Sequence, residues 1–380
     1  MHIGIDASRA FLNRRTGIEE YSYQVIRHLR NELADASVTL YVRKTFSVAS
    51  GRPRWTLPEI DFDLPPKWRV KGIWAPRFWT QGGLSLEMLF HSPEVLFVPA
   101  HTVPFIHPKR TIVTVHGLEY EFSPESYGFW ERLYMRWSIR YSVRSAARVI
   151  AVSENTKQDL MRLYRVAGEK VQVVYEGCGQ REGEVQGRAD KGKSEVILPL
   201  TAYPQPYLLF IGRLETRKNI VRMIEAFEQF KEKTGLPHVL VLAGKPGFGY
   251  EKIKDHLSKS TYQKTIQEVG YVSEAEKWRL LQSADVFLFP SLYEGFGLPV
   301  IEAQSVGTPV ITANTSSLPE IAGKGALFID PLSSEALAGA METLITDLEK
   351  RADIIEKATH NVSRFSWAQC AQGVAGLMFG

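Results

Sequence analysis

The stretch "ADVFLFPSLYEGFGLPVIEAQSVGTPVIT", residues 284–312, contains the pattern of a strand, a helix and a second strand. The apolar runs at its two ends are typical of strands that are buried on both faces of a sheet. Between them, Pro299 suits the first turn of a helix and Gly307 suits its end. This order predicts two parallel strands joined by a crossover helix, which is the repeating unit of an α/β fold.

The same alternation continues along the chain. Apolar, β-rich runs are separated by amphipathic patterns such as "NIVRMIEAFEQF", residues 219–230, whose apolar residues lie on one helical face. We therefore expect an α/β protein with two Rossmann-like domains, whose parallel sheets face each other across a cleft. The predicted strands are residues 2–6, 38–42, 95–99, 111–116, 148–153 and 171–175 in the first half, and 207–212, 238–244, 265–272, 284–290, 309–312 and 326–330 in the second.

One segment interrupts the alternation. Residues 181–206 are charged and contain glycine, then become proline-rich, which indicates a linker between two domains. We predict domains at residues 1–185 and 207–362, a linker at 186–206 and a final segment at 363–380. In open α/β sheets ligands bind beyond the carboxyl ends of the strands, so residues that directly follow a strand are the candidates for chemistry.

Composition excludes several classes of protein. The chain has 380 residues, 44% of them hydrophobic and 23% charged, which is ordinary for a soluble globular protein of two domains. Its two cysteines, Cys178 and Cys370, form neither a disulfide framework nor a metal-ligand spacing, which favours the cytoplasm. No apolar run reaches the roughly 18 residues needed to cross a bilayer. The net charge of +4 is too small to indicate a nucleic-acid partner.

Two acids flank the Gly-Phe-Gly turn of the opening stretch. Glu294 follows a predicted strand by four residues, and Glu302 lies in the short helix after the turn. Free amides at the amino end of a helix favour anionic or hydroxyl-rich ligands. Two carboxylates beside such amides suit the hydroxyl groups of a sugar and a ribose.

Two cations follow another strand, in "FIGRLETRKNI", residues 210–220. Arg213 leaves the strand end, and Lys218 precedes an amphipathic helix for which Asn219 is the expected cap. A planar guanidinium and a compact ammonium near the amino end of a helix suit a diphosphate. Taken alone, the pair is as typical of ordinary surface charges as it is of a diphosphate site.

Two further candidates lie in the first half of the chain. His116 ends the apolar strand "TIVTV", so we expect its imidazole to emerge at the ligand edge as a polar contact or a proton carrier. A structural histidine is the alternative. Gly17, within "RRTGIEEYS" (residues 14–22), allows close approach to a phosphate, but the full Gly-x-Gly-x-x-Gly dinucleotide motif is absent.

Together these motifs resemble the family-4 retaining glycosyltransferases, over nearly the whole chain. The resemblance implies the GT-B fold, with a nucleotide-sugar donor on the second domain, an acceptor on the first, and a last helix near residues 366–379 that returns to the first domain. "GKPGFGYEKI" (244–253) and "VLFVPAHTVP" (95–104) are similar to mannosyltransferases of bacterial polysaccharide and O-antigen assembly. The motifs that carry the family resemblance are "EGFGLPVIE" (294–302), "GTPVI" (307–311), "SLPEIAG" (317–323), "GRLETRKN" (212–219), "AVSENTKQDL" (151–160) and "VQVVYEG" (171–177).

The resemblance also implies roles for individual residues. Arg213 and Lys218 would neutralise the donor diphosphate, Glu302 would hold the ribose, and Glu294 would contact the transferred sugar. His116 would contact that sugar near the reacting carbon. The other donor-binding residues implied are Gly17, whose loop would close over the phosphates, Gly244, Lys245, Tyr271 and Val272 at the base, and Gly295, Phe296, Gly297 and Leu298, whose backbone would contact the sugar.

The chain departs from the family pattern at one position. Many relatives carry Asp directly after the histidine, whereas here the residue is Gly117, which puts a role for an acid at that place in doubt. The reaction implied is direct transfer with retention of configuration, catalysed by charge neutralisation at the leaving group. No Asp-x-Asp motif follows a strand, so we expect no metal and no cofactor beyond the donor substrate.

A helix with regularly spaced arginines bears on the acceptor. "ERLYMRWSIRYSVRSAARVI", residues 131–150, has an arginine at every fourth position, and aromatic residues are interleaved with them. One interpretation is a solvated face whose aromatics pack into the core. The other is a surface that meets anionic lipid and brings the enzyme to a polyprenyl-diphosphate-linked acceptor at the cytoplasmic face of a membrane.

Alternatives remain open at this stage. GDP-mannose is the donor we favour, with a UDP-sugar as the alternative. An epimerase should lack the Glu294–Glu302 string, and a phosphorylase needs a longer chain and a pyridoxal-binding lysine. A binding protein without turnover would bind a sugar nucleotide and transfer nothing. The intact Glu294, Arg213 and Lys218 argue against it.

Overall fold

The computed structural model describes residues 1–12, 15, 17–49, 52–75, 78–179 and 206–380. The chain forms two compact units. The first contains Met1–Tyr120, Tyr127–Gly177 and Phe365–Gly380, and the second contains Glu121–Ser126 and Cys178–Arg364. Apart from Pro206, the predicted linker lies outside the described residues.

The first unit is built on a parallel sheet. Within its described residues, seven strands lie in the order β5-β2-β1-β6-β7-β8-β9, and β3 and β4 form a separate antiparallel pair. Its strands are β1 (His2–Asp6), β2 (Ser37–Arg43), β3 (Thr45–Ala49), β4 (Arg52–Thr56), β5 (Trp68–Ile73), β6 (Val95–Val98), β7 (Arg110–Val115), β8 (Arg148–Ala151) and β9 (Val171–Val173). The helices of this part of the chain are α1 (Gly17–Glu32), α2 (Ser85–Phe90), α3 (Glu119–Phe122), α4 (Phe129–Ser145) and α5 (Glu154–Tyr164).

The second unit has a parallel sheet of its own. Six strands lie in the order β12-β11-β10-β13-β14-β15 within the described residues. They are β10 (Tyr207–Ile211), β11 (Val239–Ala243), β12 (Ile266–Gly270), β13 (Val286–Phe289), β14 (Val310–Ala313) and β15 (Ala326–Ile329). The helices are α6 (Ile220–Thr234), α7 (Tyr250–Lys259), α8 (Glu274–Ser283), α9 (Leu298–Ser305), α10 (Leu318–Ala322), α11 (Ser334–Thr346) and α12 (Leu348–Val362).

The strand order of the second sheet decides where a ligand can bind. Its first strand in sequence, β10, lies in the interior, and the order then reverses between β10 and β13. Helices that leave these two strands pass to opposite faces of the sheet, which opens a crevice at their carboxyl ends. Gly212 and Pro290 are the residues that directly follow these strands.

The last helix, α13 (Trp367–Phe379), lies in the first unit and packs against α1. Arg110 Nη2 donates a hydrogen bond to the carbonyl of Met378 at 3.0 Å. Gly177 allows a close approach, because a Cβ there would lie 2.3 Å from the backbone nitrogen of Trp367. After the long second segment of the other unit, Cys178–Arg364, the chain therefore returns to the first unit through this last helix.

The predicted α/β class with two parallel sheets is confirmed. All twelve predicted strands are present, with ends shifted by at most two residues. The match follows from burial: all five residues of β11 are buried, so its sequence is an unbroken apolar run. Strands β3, β4 and β5 were not predicted. β5 lies at the edge of its sheet, where only Trp68 and Ile73 are buried, so it lacks that apolar signature.

Candidate active site

Two chain segments meet at the carboxyl ends of β10 and β13. The segment after β10 ends in a short 3-10 turn, Thr216–Lys218, directly before α6. The segment after β13 runs through Ser291 to Gly297, where α9 begins. The backbone nitrogen of Leu292 donates to the carbonyl of Arg217 at 2.9 Å and joins the two. The predicted Lys218 and Glu294 lie on these segments.

Glu294 lies between two cations in the interior of this junction. Its Oε1 is 2.5 Å from Lys218 Nζ and 3.0 Å from Arg217 Nη1. Both Lys218 and Glu294 are only 8% exposed. Burial alone would raise the pKa of Glu294, but Arg217 and then Lys218 outweigh it and lower that pKa to about 2. Glu294 is therefore a carboxylate at neutral pH.

Arg217 was not among the predicted site residues. Its guanidinium spans the junction: Nη1 donates to the carbonyl of Tyr293 at 2.6 Å, and Nη2 lies 2.8 Å from Glu215 Oε1. A planar fork with several donors can bind a carboxylate and a carbonyl at once, which an ammonium does less well. Arg217 thus holds the Glu294 loop to the end of β10.

The loop that carries Glu294 is fixed from the other side by two serines. Ser316 Oγ accepts a hydrogen bond from the Glu294 backbone nitrogen at 3.0 Å. The Ser317 hydroxyl oxygen lies 3.0 Å from the carbonyl oxygen of Glu294 and 2.5 Å from that of Phe296, and its single proton can be donated to either. Gly297 then adopts φ 122°, a conformation that favours glycine, and directly precedes α9. The predicted Gly295 and Phe296 are buried here, and Leu298, also predicted, begins the helix half-buried.

The two predicted phosphate cations have different surroundings. Lys218 is buried and bound to Glu294, whereas Arg213, just past β10, is exposed. The Arg213 side chain passes Gly247, where a Cβ would lie 2.6 Å from Arg213 Cδ. Gly247 thus leaves room for this side chain. The role of both cations on a diphosphate stays a prediction.

Asn219 occupies the predicted position at the start of α6, but the prediction that its side chain caps the helix is wrong. Asn219 does precede α6, but with φ 62° and without a cap hydrogen bond from its side chain. Its Nδ2 instead donates to the carbonyls of Pro290 and Pro331, at 3.1 and 2.7 Å. The side chain therefore ties the helix start to the ends of β13 and β15.

Glu302, predicted to hold a ribose, projects from α9 toward α8. Its Oε1 lies 2.7 Å from Lys277 Nζ, and the same ammonium lies 2.9 Å from Glu274 Oε2. Lys277 and Glu302 are both largely buried, with side chains 14% and 15% exposed. Lys277 was not predicted as a site residue.

The predicted donor residues after β11 and β12 come together. Lys245 Nζ lies 4.7 Å above the ring of Tyr271, which is half exposed. Gly244 directly follows β11, and its backbone nitrogen donates to the carbonyl of Gly270 at 2.7 Å. Val272 is half-buried against the core of the second unit. An exposed aromatic ring with a cation above it offers a flat surface of the kind that stacks on a nucleobase.

His116 differs from its prediction. It follows β7 as expected, but the imidazole is buried, 8% exposed, rather than emerging at the strand end. Its Nδ1 lies 3.0 Å from Glu176 Oε1, and its Nε2 lies 2.8 Å from the Pro99 carbonyl oxygen. Because both ring nitrogens already have acceptors, the proton-carrier role suggested by the sequence requires one of these bonds to break.

Gly17, the remaining predicted residue, is the first residue of α1. A Cβ there would meet nothing within 4 Å. Residues 13, 14 and 16 of its loop lie outside the described residues. Arg15 is described, and its Nε binds Glu20 Oε2 at 2.9 Å.

The residues that sequence reasoning missed share one property. Arg217, Lys277 and Glu176 each bind a predicted site residue that is distant in sequence, by 77, 25 and 60 positions. Their local sequences carry no sign of a site, because Arg217 is simply the neighbour of Lys218 and Lys277 lies one turn into a capped helix. Among the described residues, no group of three or more His, Cys, Asp or Glu is placed to hold a metal ion.

Comparison with known proteins adds the family. A model of the glycosyltransferase family 4 domain matches residues 15–178, and a model of glycosyl transferases group 1 matches residues 200–361. The chain is a glycosyltransferase with a family 4 domain followed by a group 1 domain. As in the resemblance drawn from the sequence, the matches together span both units of this glycosyltransferase.

Two relatives of this glycosyltransferase are named as O-antigen chain mannosyltransferases. It is 27% identical to the O-antigen chain mannosyltransferase B of Escherichia coli over 75% of this chain and 72% of the relative. It is 24% identical to the O-antigen chain mannosyltransferase RfbU of Salmonella typhimurium over 96% of each chain. The structure of a sucrose-phosphate synthase from Thermosynechococcus elongatus matches with a TM-score of 0.72 at 19% identity, over 99% of this chain and 98% of the other. The expected GT-B fold is thereby confirmed.

Proposed function

We propose that this glycosyltransferase moves mannose from GDP-mannose to a saccharide or a lipid-linked saccharide, with retention of configuration. The relatives named as O-antigen mannosyltransferases support the sugar and the pathway class. The observation that carries the proposal is the buried Arg217–Glu294–Lys218 cluster at the reversal of strand order. A fixed carboxylate beside cations at this crevice suits a sugar attached to a diphosphate.

The reaction needs stabilisation of negative charge more than a strong base. As the bond between the sugar C1 and the diphosphate oxygen breaks, negative charge develops on the leaving group. Lys218 and Arg213 are the cations we assign to it. The acceptor hydroxyl forms its bond to C1 on the same face, and its proton passes to the departing phosphate oxygen. Glu294 orients the sugar throughout.

The proposal contains no metal ion. Two protein cations supply the countercharge that a divalent ion supplies in other sites. Glu302 is assigned to the ribose, Tyr271 and Val272 to the base, and His116 to the sugar near C1. The nucleotide-sugar donor is then the sole small molecule that the chemistry requires besides the acceptor.

A thermal-shift panel tests the donor. We expect GDP and GDP-mannose to raise the melting temperature more than UDP, ADP or their sugars. Bound at 100 times its dissociation constant, a nucleotide stabilises the folded state by about 2.7 kcal/mol. A larger shift with UDP would replace GDP-mannose by a UDP-sugar. A shift with a sugar nucleotide, but no transfer to any acceptor, would favour a binding protein without turnover.

We further propose that α4 brings the enzyme to an anionic membrane. The interpretation in which its aromatics fill the core is wrong for the first half of the helix: Phe129 and Trp130 are 74% and 75% exposed. The buried residues of α4 are Ser138, Ile139, Ser142 and Val143, all in its second half. Residues 129–148 contain five arginines and one acid, so the face carries positive charge beside exposed rings.

The exposed apolar face continues beyond α4. The ring of Phe105 lies 5.8 Å from that of Trp137, and Tyr141 donates to the Phe105 carbonyl at 3.0 Å. Ser85 Oγ, at the start of α2, accepts from the Phe105 backbone nitrogen at 2.9 Å. On α2 itself, Leu86, Leu89 and Phe90 are exposed. In the described part of the chain no helix has the length and apolarity to cross a bilayer, so this contact would be peripheral.

Vesicle flotation tests the membrane contact. We expect binding to phosphatidylcholine vesicles that contain phosphatidylglycerol, and little binding to phosphatidylcholine alone. Since each arginine near an anionic surface contributes about 1 kcal/mol, the double variant Arg136→Gln, Arg140→Gln should bind about 30-fold more weakly. The control is Leu348→Ser in the second unit. Leu348 is an apolar residue that is 72% exposed, close to the values for Phe129 and Trp130, but it lies outside the proposed membrane surface. Equal binding to both kinds of vesicle would exclude the proposal.

A further inference from the structure

Lys277 links helix α8 to the carboxylate assigned to the ribose. It lies one turn after Ser273, which caps α8 together with Glu276. Its Nζ lies 2.7 Å from Glu302 Oε1 on α9 and 2.9 Å from Glu274 Oε2 on its own helix. The two partners differ in their surroundings, because the Glu302 side chain is 15% exposed and that of Glu274 is 52% exposed. The buried contact is therefore the one with Glu302.

The charges favour an ion pair at this place. Burial lowers the pKa of Lys277, but Glu302 and then Glu274 outweigh it and raise that pKa above its ordinary value. The ammonium therefore persists over the physiological range. It has three donors, and the two carboxylates accept two of them.

An ion pair of this kind leaves the carboxylate with binding capacity. A carboxylate has about four lone-pair positions, and the hydrogen bond from Lys277 occupies one of them. Fixing a glutamate side chain costs up to about 1.5–2 kcal/mol of conformational entropy, which a ligand must supply if the side chain is loose before binding. An existing partner removes that cost from the binding step.

We propose that Lys277 is a positioning residue, which holds Glu302 in the orientation that accepts the ribose hydroxyls of a nucleoside diphosphate. This inference rests on the proposed function, in which Glu302 binds the ribose. It adds that ribose recognition depends on a residue of α8 that lies outside the Glu294–Glu302 string. Lys277 acts through Glu302.

Calorimetric titration of the full chain with GDP and 2′,3′-dideoxy-GDP tests the inference. In the wild type, hydrogen bonds to the charged Glu302 should make GDP bind about 10- to 100-fold more tightly than its dideoxy form. Lys277→Met should weaken GDP binding about 10- to 100-fold, as loss of an orienting partner does elsewhere. Binding of the dideoxy form should change little, so the ratio of the two dissociation constants should fall toward one. Lys277→Arg should restore the ratio.

Glu274→Gln is the matched control. It removes the exposed partner of Lys277 and leaves the contact with Glu302, so the ratio should stay within about threefold of the wild type. Lys277→Gln, which retains a hydrogen-bond donor without the charge, is titrated beside Lys277→Met, and thermal unfolding establishes that each variant is folded. Should Lys277→Met fail to fold, Lys277→Gln replaces it: a ratio of the two dissociation constants that falls toward one supports the inference, and an unchanged ratio contradicts it.

The outcomes separate this inference from the proposed function. Equal weakening of GDP and dideoxy-GDP in the Lys277 variants would show a structural role and overturn the inference. A wild type that binds both forms equally would overturn it as well, because Glu302 would then not read the ribose. UDP and 2′,3′-dideoxy-UDP are titrated in parallel. A wild type that binds none of the four nucleotides contradicts the proposed function itself.

Discussion

Replacing Lys218 by methionine is expected to lower kcat/KM by about 10²- to 10³-fold, the effect of losing one preorganised donor for a developing oxyanion. Lys218 Nζ binds Glu294 at 2.5 Å within a junction that also contains Arg217. The variant removes the buried cation assigned to the leaving diphosphate and one of the two cations that hold Glu294. The measurement is initial-rate kinetics with the donor that the thermal-shift panel selects.

The Lys218 variant also loses stability, so folding has to be measured with activity. Removing one member of a buried ion pair costs about 3–5 kcal/mol, although Arg217 retains part of the interaction here. Lys233→Met is the matched control on α6. Lys233 is exposed and binds Glu342 at 2.6 Å, so its loss should change stability by less than about 1 kcal/mol and leave kcat/KM unchanged. A folded Lys218→Met variant with wild-type kcat/KM would refute the assigned role.

The same variant should be more sensitive to acid. The pKa of Glu294 is lowered from 4.5 to about 2 in the folded protein. Ionised Glu294 therefore stabilises the folded state fully above its ordinary pKa, and this contribution is lost as pH falls toward 2. Without Lys218 the folded pKa rises, so acid unfolding should begin at higher pH than in the wild type and in Lys233→Met.

The second large effect is expected for Gly244→Ala. Gly244 has φ 153°, and a Cβ there would lie 1.7 Å from the carbonyl oxygen of Gly212. That oxygen belongs to the neighbouring strand end, so relief requires β10 and β11 to separate at the edge where the site lies. We expect a loss of about 4 kcal/mol or more in the free energy of unfolding, measured by urea denaturation.

Gly339→Ala is the control for this substitution. Gly339 lies within α11, and a Cβ there would meet nothing within 4 Å. Alanine in the interior of a helix is favoured over glycine by about 0.5–1 kcal/mol, so this variant should be slightly more stable than the wild type. Gly244→Ala unfolding at the same urea concentration as the wild type would contradict the close approach of the two strand ends.

The sequence alone determined the class of fold and the chain positions of the main site residues. Buried parallel strands are unbroken apolar runs, so β10, β11 and β13 could be predicted closely. The residues after these strands were the right places to look, because ligand crevices form at the carboxyl ends of parallel strands. Lys218 and Glu294 both came from that reasoning.

Other features could not be predicted from local patterns. The edge strand β5 lacks a continuous apolar run, because only its two end residues, Trp68 and Ile73, are buried. The sequences of β3 and β4 lack such a run as well. The burial of His116 depends on its contacts with Glu176 and Pro99. These residues follow β9 and β6, which lie on opposite sides of β7 in the sheet. A strand end viewed alone looks the same whether its last side chain is open or covered.

Only the tertiary structure decided which charges meet. The contacts Arg217–Glu294 and Lys277–Glu302 join residues that are far apart in the sequence, and no sequence pattern indicates that they pair. They exist because β10 and β13 are neighbours in the sheet and because α8 and α9 pack together. The sequence thus determined the residues and elements that could bear charge at the site. The order of the strands determined which of those charges are buried against one another, because the Coulomb energy of a pair depends on distance in space and on the loss of water around it.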